Sequence, residues 1–89
     1  MERRVVSFRG RVQGVGFRAT CVALSRRFDV SGWVRNESDG SVRLEAQGDP
    51  DDVEAFVHAV LDEMGDYISG HDAEPAPIVG GEAGFDIRR

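Results

Sequence analysis

The chain has 89 residues, of which 40% are hydrophobic and 30% are charged, with a formal net charge of −5. This length accommodates one small domain over residues 1–89, and the excess of acidic side chains opposes binding to a nucleic-acid backbone. Apolar runs are only a few residues long and Cys21 is the single cysteine, so we expect a cytoplasmic protein without a membrane span, disulfide or bound metal.

The N-terminal third predicts a strand followed by a helix. Residues 4–12 alternate loosely, with Val6 and Phe8 on the face expected to be buried. From residue 17 to residue 28, apolar side chains recur every three or four positions and predict one apolar stripe of a helix. This stripe consists of Phe17, Cys21, Leu24 and Phe28. We therefore expect Cys21 to be a small core residue rather than a nucleophile.

The next segment predicts a hairpin. Residues 33–36 form a short candidate strand, residues 37–40 supply a turn that ends in Asp-Gly, and residues 41–47 alternate as the returning strand. A half-buried sheet places its large aromatic side chains inside, so we expect Trp33 to join Phe8 in the core.

A second helix is predicted after the hairpin. Asp49 is placed to cap this helix, Pro50 suits its first position, and Gly65 is a natural C-terminal cap. Its broad apolar face comprises Val53, Phe56, Val57, Val60, Leu61 and Met64.

The remaining residues carry a weaker pattern. Residues 67–84 contain two prolines and several glycines, and within them only Ile78–Val79 suggests a strand. Residues 84–88 predict a closing strand. The element order indicates an α+β, ferredoxin-like βαββαβ sandwich, with a four- to five-stranded mixed or antiparallel sheet and two helices on one face.

A glycine-containing loop connects the first strand to the first helix. Gly14 and Gly16 allow positive φ angles and close approach of a ligand to the backbone. The first amides of the following helix have no partners within it and lie at the positive end of its dipole. Arg18 adds a planar charged group that fits two phosphoryl or carboxylate oxygens. The loop therefore predicts an anion site.

Asn36 is expected at the same end of the sheet as Arg18. The helix runs away from the loop over about 15 Å and the following strand returns over about 17 Å. A carboxamide offers an acceptor and a donor, so it can hold a water and an anionic oxygen together. This combination suits phosphoryl transfer to water. Glu37 follows Asn36, but adjacent strand residues point to opposite faces, so we expect Glu37 to be a solvated turn residue.

These motifs together resemble the acylphosphatases over roughly residues 4 to 65. The resemblance rests on the segments Gly10–Arg18, Gly32–Asn36, Asp39–Val42 and Gln47–Gly48. It implies an acylphosphatase that hydrolyses the carboxyl-phosphate bond to a carboxylate and inorganic phosphate, without metal, cofactor or covalent intermediate. It also implies a phosphate-binding loop formed by Gln13, Gly14, Val15, Gly16, Phe17 and Arg18. Arg18 would hold the phosphoryl group and Asn36 would orient the attacking water.

We expect a monomer whose partners are a small-molecule acyl phosphate and inorganic phosphate, with no nucleic acid or membrane partner. All implied contacts reach the phosphoryl end, so broad tolerance toward the acyl group is expected. The chain departs from many relatives at Ala19 and Thr20, where they have a bulky or aromatic residue, so looser packing around Arg18 is expected. It also departs at residues 68–74, where a valine-rich strand is usual, so a short and weak fourth strand is expected.

Other functions fit parts of the sequence. The same anion site could serve a non-catalytic module that binds or senses an acyl or carbamoyl phosphate. An RNA-binding ferredoxin-like domain is favoured slightly by the N-terminal arginines and Phe8, and opposed by the net charge. Gly14, Gly16 and Ala19 match a dinucleotide-binding fingerprint, but 89 residues with a hairpin cannot supply the parallel sheet that such a site needs.

Overall fold

Five strands form one sheet in the computed structural model, which describes residues 1–89. They are β1 (Glu2–Gly10), β2 (Val30–Asn36), β3 (Val42–Gly48), β4 (Ile68–Pro75) and β5 (Phe85–Ile87). The strand order is β4-β1-β3-β2-β5, and every neighbouring pair is antiparallel except β2 with β5. The sheet is therefore mixed, with β4 and β5 as its edges.

Two helices cover one face of this sheet. They are α1 (Phe17–Ser25) and α2 (Pro50–Glu63), and a single 3₁₀ turn (Gly65–Tyr67) follows α2. The helices contact each other and the central strands, so the predicted ferredoxin-like βαββαβ sandwich is confirmed. Neither helix has the length and apolar character required to cross a bilayer.

The hydrophobic core lies between the helices and the sheet. Sixteen buried residues form it, contributed by both helices, by four of the strands and by the segments that flank them. Phe8 and Cys21 belong to it, as predicted, and both are fully buried. Burial raises the pKa of the Cys21 thiol to about 12, so this side chain is a neutral core residue at physiological pH.

Trp33 is buried, but its predicted place in this core is wrong. Residues alternate between the two faces of a strand, and Val34 is the β2 residue that points to the helices. Trp33 therefore lies on the opposite, helix-free face, where arginine side chains cover it. The guanidinium carbons of Arg35, Arg43 and Arg88 lie 4.9, 5.7 and 4.6 Å from the Trp33 ring centroid.

The first strand ends earlier than its alternation predicts. It was expected to extend over residues 4–12, but β1 ends at Gly10, where the pairing with β4 shifts register. A Cβ atom at Gly10 would lie 2.3 Å from the Tyr67 carbonyl oxygen, and the φ angle there is +128°. The close approach of the 3₁₀ turn thus requires glycine and terminates the strand, while Val12 remains buried beyond it.

The first helix is also shorter than predicted. It ends at Ser25 instead of Phe28, and the Ser25 hydroxyl donates to the Val22 carbonyl at 2.6 Å. The Phe28 amide then bonds to the Ser25 carbonyl in a tighter turn. Phe28 still reaches the core, because its ring lies 6.0 Å from that of Phe56.

The second helix begins as predicted, but its C-terminal cap lies one residue before the predicted cap, Gly65. Asp49 precedes the first helical residue, Pro50, but its side chain makes no capping hydrogen bond. Met64 is the C-terminal cap, and its amide donates to the Val60 carbonyl at 2.9 Å. Gly65 begins the 3₁₀ turn without a positive φ angle, so the prediction of a Gly65 cap is wrong.

The largest correction concerns residues 67–84. The strand suggested at Ile78–Val79 is wrong, and both residues lie in the loop between β4 and β5. The strand in this region is β4, which has eight residues and pairs with β1 from Arg4 to Gly10. Most β4 side chains are exposed, so this strand is defined by its pairing with β1 and not by an apolar alternation. The expectation of a short fourth strand is therefore also wrong.

Candidate active site

The loop between β1 and α1 has the backbone conformation that its glycines predict. Gly14 and Gly16 each have a φ angle of +77°, and Gly16 is the residue immediately before α1. A Cβ atom at either glycine would meet nothing within 4 Å. The left-handed backbone, not crowding, therefore favours glycine at these two positions.

The backbone amides of this loop are free. None of the hydrogen bonds outside the helices and strands uses an amide of residues 12 to 19 as donor, and the first helical turn is closed by the Thr20 amide on the Gly16 carbonyl at 3.0 Å. The first turn of α1 also contains no acidic residue. A group of outward-pointing N–H donors at the positive end of a helix is suited to an anion.

Arg18 and Asn36 line one cleft with this loop. The cleft has a volume of about 170 Å³, and Gly14 and Gly16 also contribute to its wall. Arg18 is the second residue of α1 and Asn36 is the last residue of β2. The chain thus brings the two predicted side chains to the same end of the sheet.

The Asn36 carboxamide has an oxygen that the protein leaves unused. Asn36 Oδ1 is buried and has no hydrogen-bond partner within the chain. A buried polar atom without a partner costs free energy. Because Asn36 lines the cleft, its carboxamide lies beside the space that a ligand would occupy.

Arg18, unlike Arg9 and Arg35, has no carboxylate partner. Arg9 pairs with Asp72, and Arg35 donates to Glu37. Arg18 takes part in none of the ion pairs of the chain, and it lines the cleft beside the free amides. Its guanidinium group is therefore free to bind an anion in the cleft.

The side chains of Gln13, Val15 and Phe17 have other roles. The Gln13 amide group donates to the carbonyl oxygens of Glu37 and Ser41, at 2.8 and 3.0 Å. Val15 packs against the core, and Phe17 is buried with its ring 5.1 Å from that of Phe8. These three residues therefore offer a ligand only their backbone amides. The Gln13 contact with the β2–β3 turn was missed in the sequence, because nothing local reveals a partner 24 or 28 residues away.

Asn36 is paired with Val42 across the β2–β3 turn. Asp39 accepts hydrogen bonds from the Ser41 hydroxyl at 2.6 Å and from the Ser41 amide at 2.9 Å. These bonds hold the pKa of Asp39 below its usual range. Glu37 lies on the helix-free face, where it pairs with Arg35, and it does not line the cleft. Glu37 lies in the turn, as expected, but it is half-buried and paired with Arg35 instead of being fully solvated.

Neither histidine reaches the cleft. His58 is exposed on α2 and lies 3.1 Å from a carboxylate oxygen of Glu54. The ring of His71 stacks on Phe8 at the edge of the sheet, with centroids 6.4 Å apart. No group of three or more His, Cys, Asp or Glu side chains is arranged to hold a metal ion.

The rest of the cleft wall is apolar. Val12 and Phe17 form a buried floor, while Ala19 and Ile87 are accessible. Sequence reasoning missed Ile87. The only signal for it was its place in the closing strand, because the pairing of β5 with β2 brings it to the cleft.

Comparison with known proteins agrees with this geometry. The sequence model of the acylphosphatase family matches residues 4–87. The acylphosphatase of Salinibacter ruber is 60% identical over 60 residues, which cover 66% of this chain and 63% of that protein. The match thus spans less than two thirds of that relative's length.

Two solved structures show the same fold. The crystal structure of acylphosphatase from Bacillus subtilis superposes with a TM-score of 0.88 and 28% identity, over 100% of both chains. Full-length HypF in its phosphate- and nucleotide-bound form gives a TM-score of 0.84 and 26% identity, over 99% of this chain and 12% of that one. With the family match over residues 4–87, these likenesses confirm the resemblance seen in the sequence. The chain belongs to the acylphosphatase family.

Proposed function

We propose that this protein is an acylphosphatase, which hydrolyses the carboxyl-phosphate bond of acyl phosphates to a carboxylate and inorganic phosphate. One observation carries the proposal. A single cleft is lined by an arginine without a carboxylate partner, by a loop of free amides and by Asn36, whose carboxamide oxygen has no partner in the chain. Family membership over residues 4–87 supports the same activity.

The phosphoryl group binds to Arg18 and the loop amides. The guanidinium group donates to two phosphoryl oxygens, and the amides between Gln13 and Arg18 donate to the third. Positive φ angles at Gly14 and Gly16 let the backbone approach the ligand without a side chain in the way. These donors stabilise the charge on the equatorial oxygens of the transition state, so no metal or covalent intermediate is required.

Asn36 positions the water. Its Oδ1 accepts a hydrogen bond from a water that attacks phosphorus in line with the bond to the acyl oxygen. The new phosphorus–oxygen bond forms as the old one breaks, and the carboxylate leaves with the bonding electron pair. No carboxylate or histidine lines the cleft to accept the proton, so the proton passes from the water to a phosphoryl oxygen of the substrate.

Phosphate release from acetyl phosphate and benzoyl phosphate in the presence of EDTA tests this proposal. The wild-type protein should release phosphate from both substrates, and Arg18→Gln should lower kcat/KM by about a thousandfold because the main phosphoryl donor is lost. Arg26→Gln is the matched control, since it makes the same charge change at an exposed position of the first helix's C-terminal cap. Equal activity of the two variants, or wild-type activity that needs an added metal, would overturn the proposal.

A non-catalytic phosphate-binding module is the second candidate. It is favoured by the likeness to HypF, a much longer protein of which this chain covers 12% and whose solved form is phosphate- and nucleotide-bound. Calorimetric titration with inorganic phosphate separates the two functions. Phosphate binding by the wild-type protein together with no turnover of either acyl phosphate would favour the module.

A further inference from the structure

Ile87 and Ala19 form the accessible apolar side of the cleft. Ile87 is 42% exposed although it is a large hydrophobic residue, and Ala19 is exposed in the first turn of α1. The other apolar wall residues, Val12 and Phe17, are 1% and 2% exposed, so they form a floor that a ligand barely touches. A ligand that extends beyond the loop amides therefore meets Ile87 and Ala19.

Strand pairing fixes the position of Ile87 relative to Asn36. Ile87 is in register with Val34 on the parallel neighbour β2, and the Arg88 amide bonds to the Val34 carbonyl at 2.9 Å. Val34 points to the helices, so Ile87 points to the same side of the sheet. Asn36 follows Val34 by two residues on that side, about 7 Å further along the strand. Ile87 and Asn36 thus lie on the same side of neighbouring strands, and both line the cleft.

The cleft offers a charged partner to the phosphoryl end of an acyl phosphate and none to the acyl end. Arg18 is the single charged side chain that lines it, and the proposed function assigns Arg18 to the phosphoryl oxygens. A charged or strongly polar acyl group would lose hydration against Ile87 and Ala19 without gaining a partner. An apolar acyl group would instead remove its own surface and that of Ile87 from water.

We propose that the acyl group packs against Ile87 and Ala19, so that this protein prefers acyl phosphates with apolar acyl groups over those with small or charged ones. The inference rests on the proposed function and refines the broad acyl tolerance that the sequence predicts. Because the contact is open on one side, the preference is modest. It is expressed in the ratio of kcat/KM values for benzoyl phosphate and acetyl phosphate.

Replacing Ile87 tests the preference. Ile87→Ser should lower the benzoyl-to-acetyl ratio of kcat/KM about three- to tenfold. The phenyl ring loses its apolar contact with Ile87, whereas the small methyl group of the acetyl substrate makes little contact there. Ile87→Leu should keep the ratio within about twofold of the wild-type value, since the apolar surface is preserved. The matched control is Ile78→Ser, which makes the same change at an isoleucine that is 50% exposed and lies outside the cleft.

A binding measurement separates this inference from the proposed function. Benzoylphosphonate and acetylphosphonate keep the phosphoryl and acyl groups but have no bond to hydrolyse, so calorimetry reports acyl preference without turnover. Tighter binding of benzoylphosphonate that is lost in Ile87→Ser supports the inference even if no phosphate is released from any substrate. Equal binding of the two phosphonates, or an unchanged benzoyl-to-acetyl ratio in Ile87→Ser, would overturn it.

Discussion

Asn36 and Arg18 offer different groups to the same cleft. Arg18 presents a charged group with several donors, whereas Asn36 presents a neutral oxygen that is buried and without a partner. A phosphate ion is bound mainly by the arginine and the amides, because charge-assisted hydrogen bonds are stronger than neutral ones. A water molecule is positioned by a hydrogen bond to the carboxamide oxygen. Binding and turnover should therefore respond differently to changes at the two residues.

Replacement of Asn36 by alanine tests this difference. Asn36→Ala should lower kcat by about 10² to 10³, because the water loses its acceptor, while the inhibition constant of inorganic phosphate changes by less than about threefold. Steady-state kinetics with benzoyl phosphate and phosphate as inhibitor measure both quantities. Ser38→Ala serves as the control, since Ser38 is exposed in the adjacent turn. Loss of phosphate binding with intact turnover in Asn36→Ala would contradict the role given to Asn36.

At the scale of elements, the site depends on a contact between two loops. The Gln13 side chain donates to two carbonyl groups of the β2–β3 turn, Glu37 at 2.8 Å and Ser41 at 3.0 Å. These carbonyls flank the turn that begins directly after Asn36. Gln13 thus couples the phosphate-binding loop to the element that presents the carboxamide, which makes it a positioning residue.

Gln13→Leu should lower kcat about tenfold, because the volume is kept while both hydrogen bonds are lost and Asn36 is held less firmly. The inhibition constant of phosphate should stay within about twofold of the wild-type value, since Gln13 binds phosphate only through its backbone amide. Kinetics with phosphate as inhibitor, together with a thermal unfolding curve, make the comparison. A parallel change of kcat and phosphate affinity would indicate a general loss of loop structure and would rule out a specific positioning role.

The elements that the sequence predicts well are those with a strong pattern of their own. The second helix was located from its apolar face and from Asp49 and Pro50, all within a few residues of one another. The strand β4 was missed, because an exposed edge strand is fixed by its pairing with β1 and not by its side chains. The candidate site divides in the same way. Arg18 and Asn36 follow local motifs, whereas Ile87 reaches the cleft only through strand pairing.

At the scale of the whole molecule, long-range ion pairs join the basic N-terminal half of the sequence to its acidic C-terminal half. Nine of the eleven basic residues lie at or before residue 43, and residues 49–86 contain none. In the fold, arginines of β1 pair with carboxylates of the C-terminal half. These pairs are Arg3–Glu82, Arg4–Glu54 and Arg9–Asp72. Most of these contacts are surface pairs of small effect, but the first is buried.

Arg3 is the centre of this buried contact. It is only 2% exposed, and it lies near the start of β1 on the helix-free face. Its guanidinium group donates to Glu45 at 2.8 Å, to Gln47 at 3.1 Å and to Glu82 at 2.8 and 3.2 Å. Gln47 in turn bonds to both backbone groups of Val79. The network therefore fastens the long connection between β4 and β5 to the sheet.

Glu82 makes the stability of this network dependent on pH. Hydrogen bonds from Arg3 hold the pKa of Glu82 below its usual range, although partial burial acts in the opposite direction. A depressed carboxyl pKa contributes stability that is fully present above the unfolded-state pKa of about 4.3. That contribution is lost as the pH falls through the lower pKa of the folded state.

Glu82→Gln should therefore lower the free energy of unfolding by about 2 kcal/mol at pH 7, because Arg3 loses one of its two charged partners and keeps Glu45. Below about pH 4.3 the difference between the variant and the wild-type protein should narrow, since Glu82 is protonated first in the unfolded chain and, at still lower pH, in the folded protein. Urea unfolding between pH 2 and pH 7 measures both effects. Glu63→Gln is the control, because Glu63 is exposed at the end of α2 and belongs to no ion pair. A difference between Glu82→Gln and wild type that stays constant across this pH range would show that the ion pair does not set the acid sensitivity of the fold.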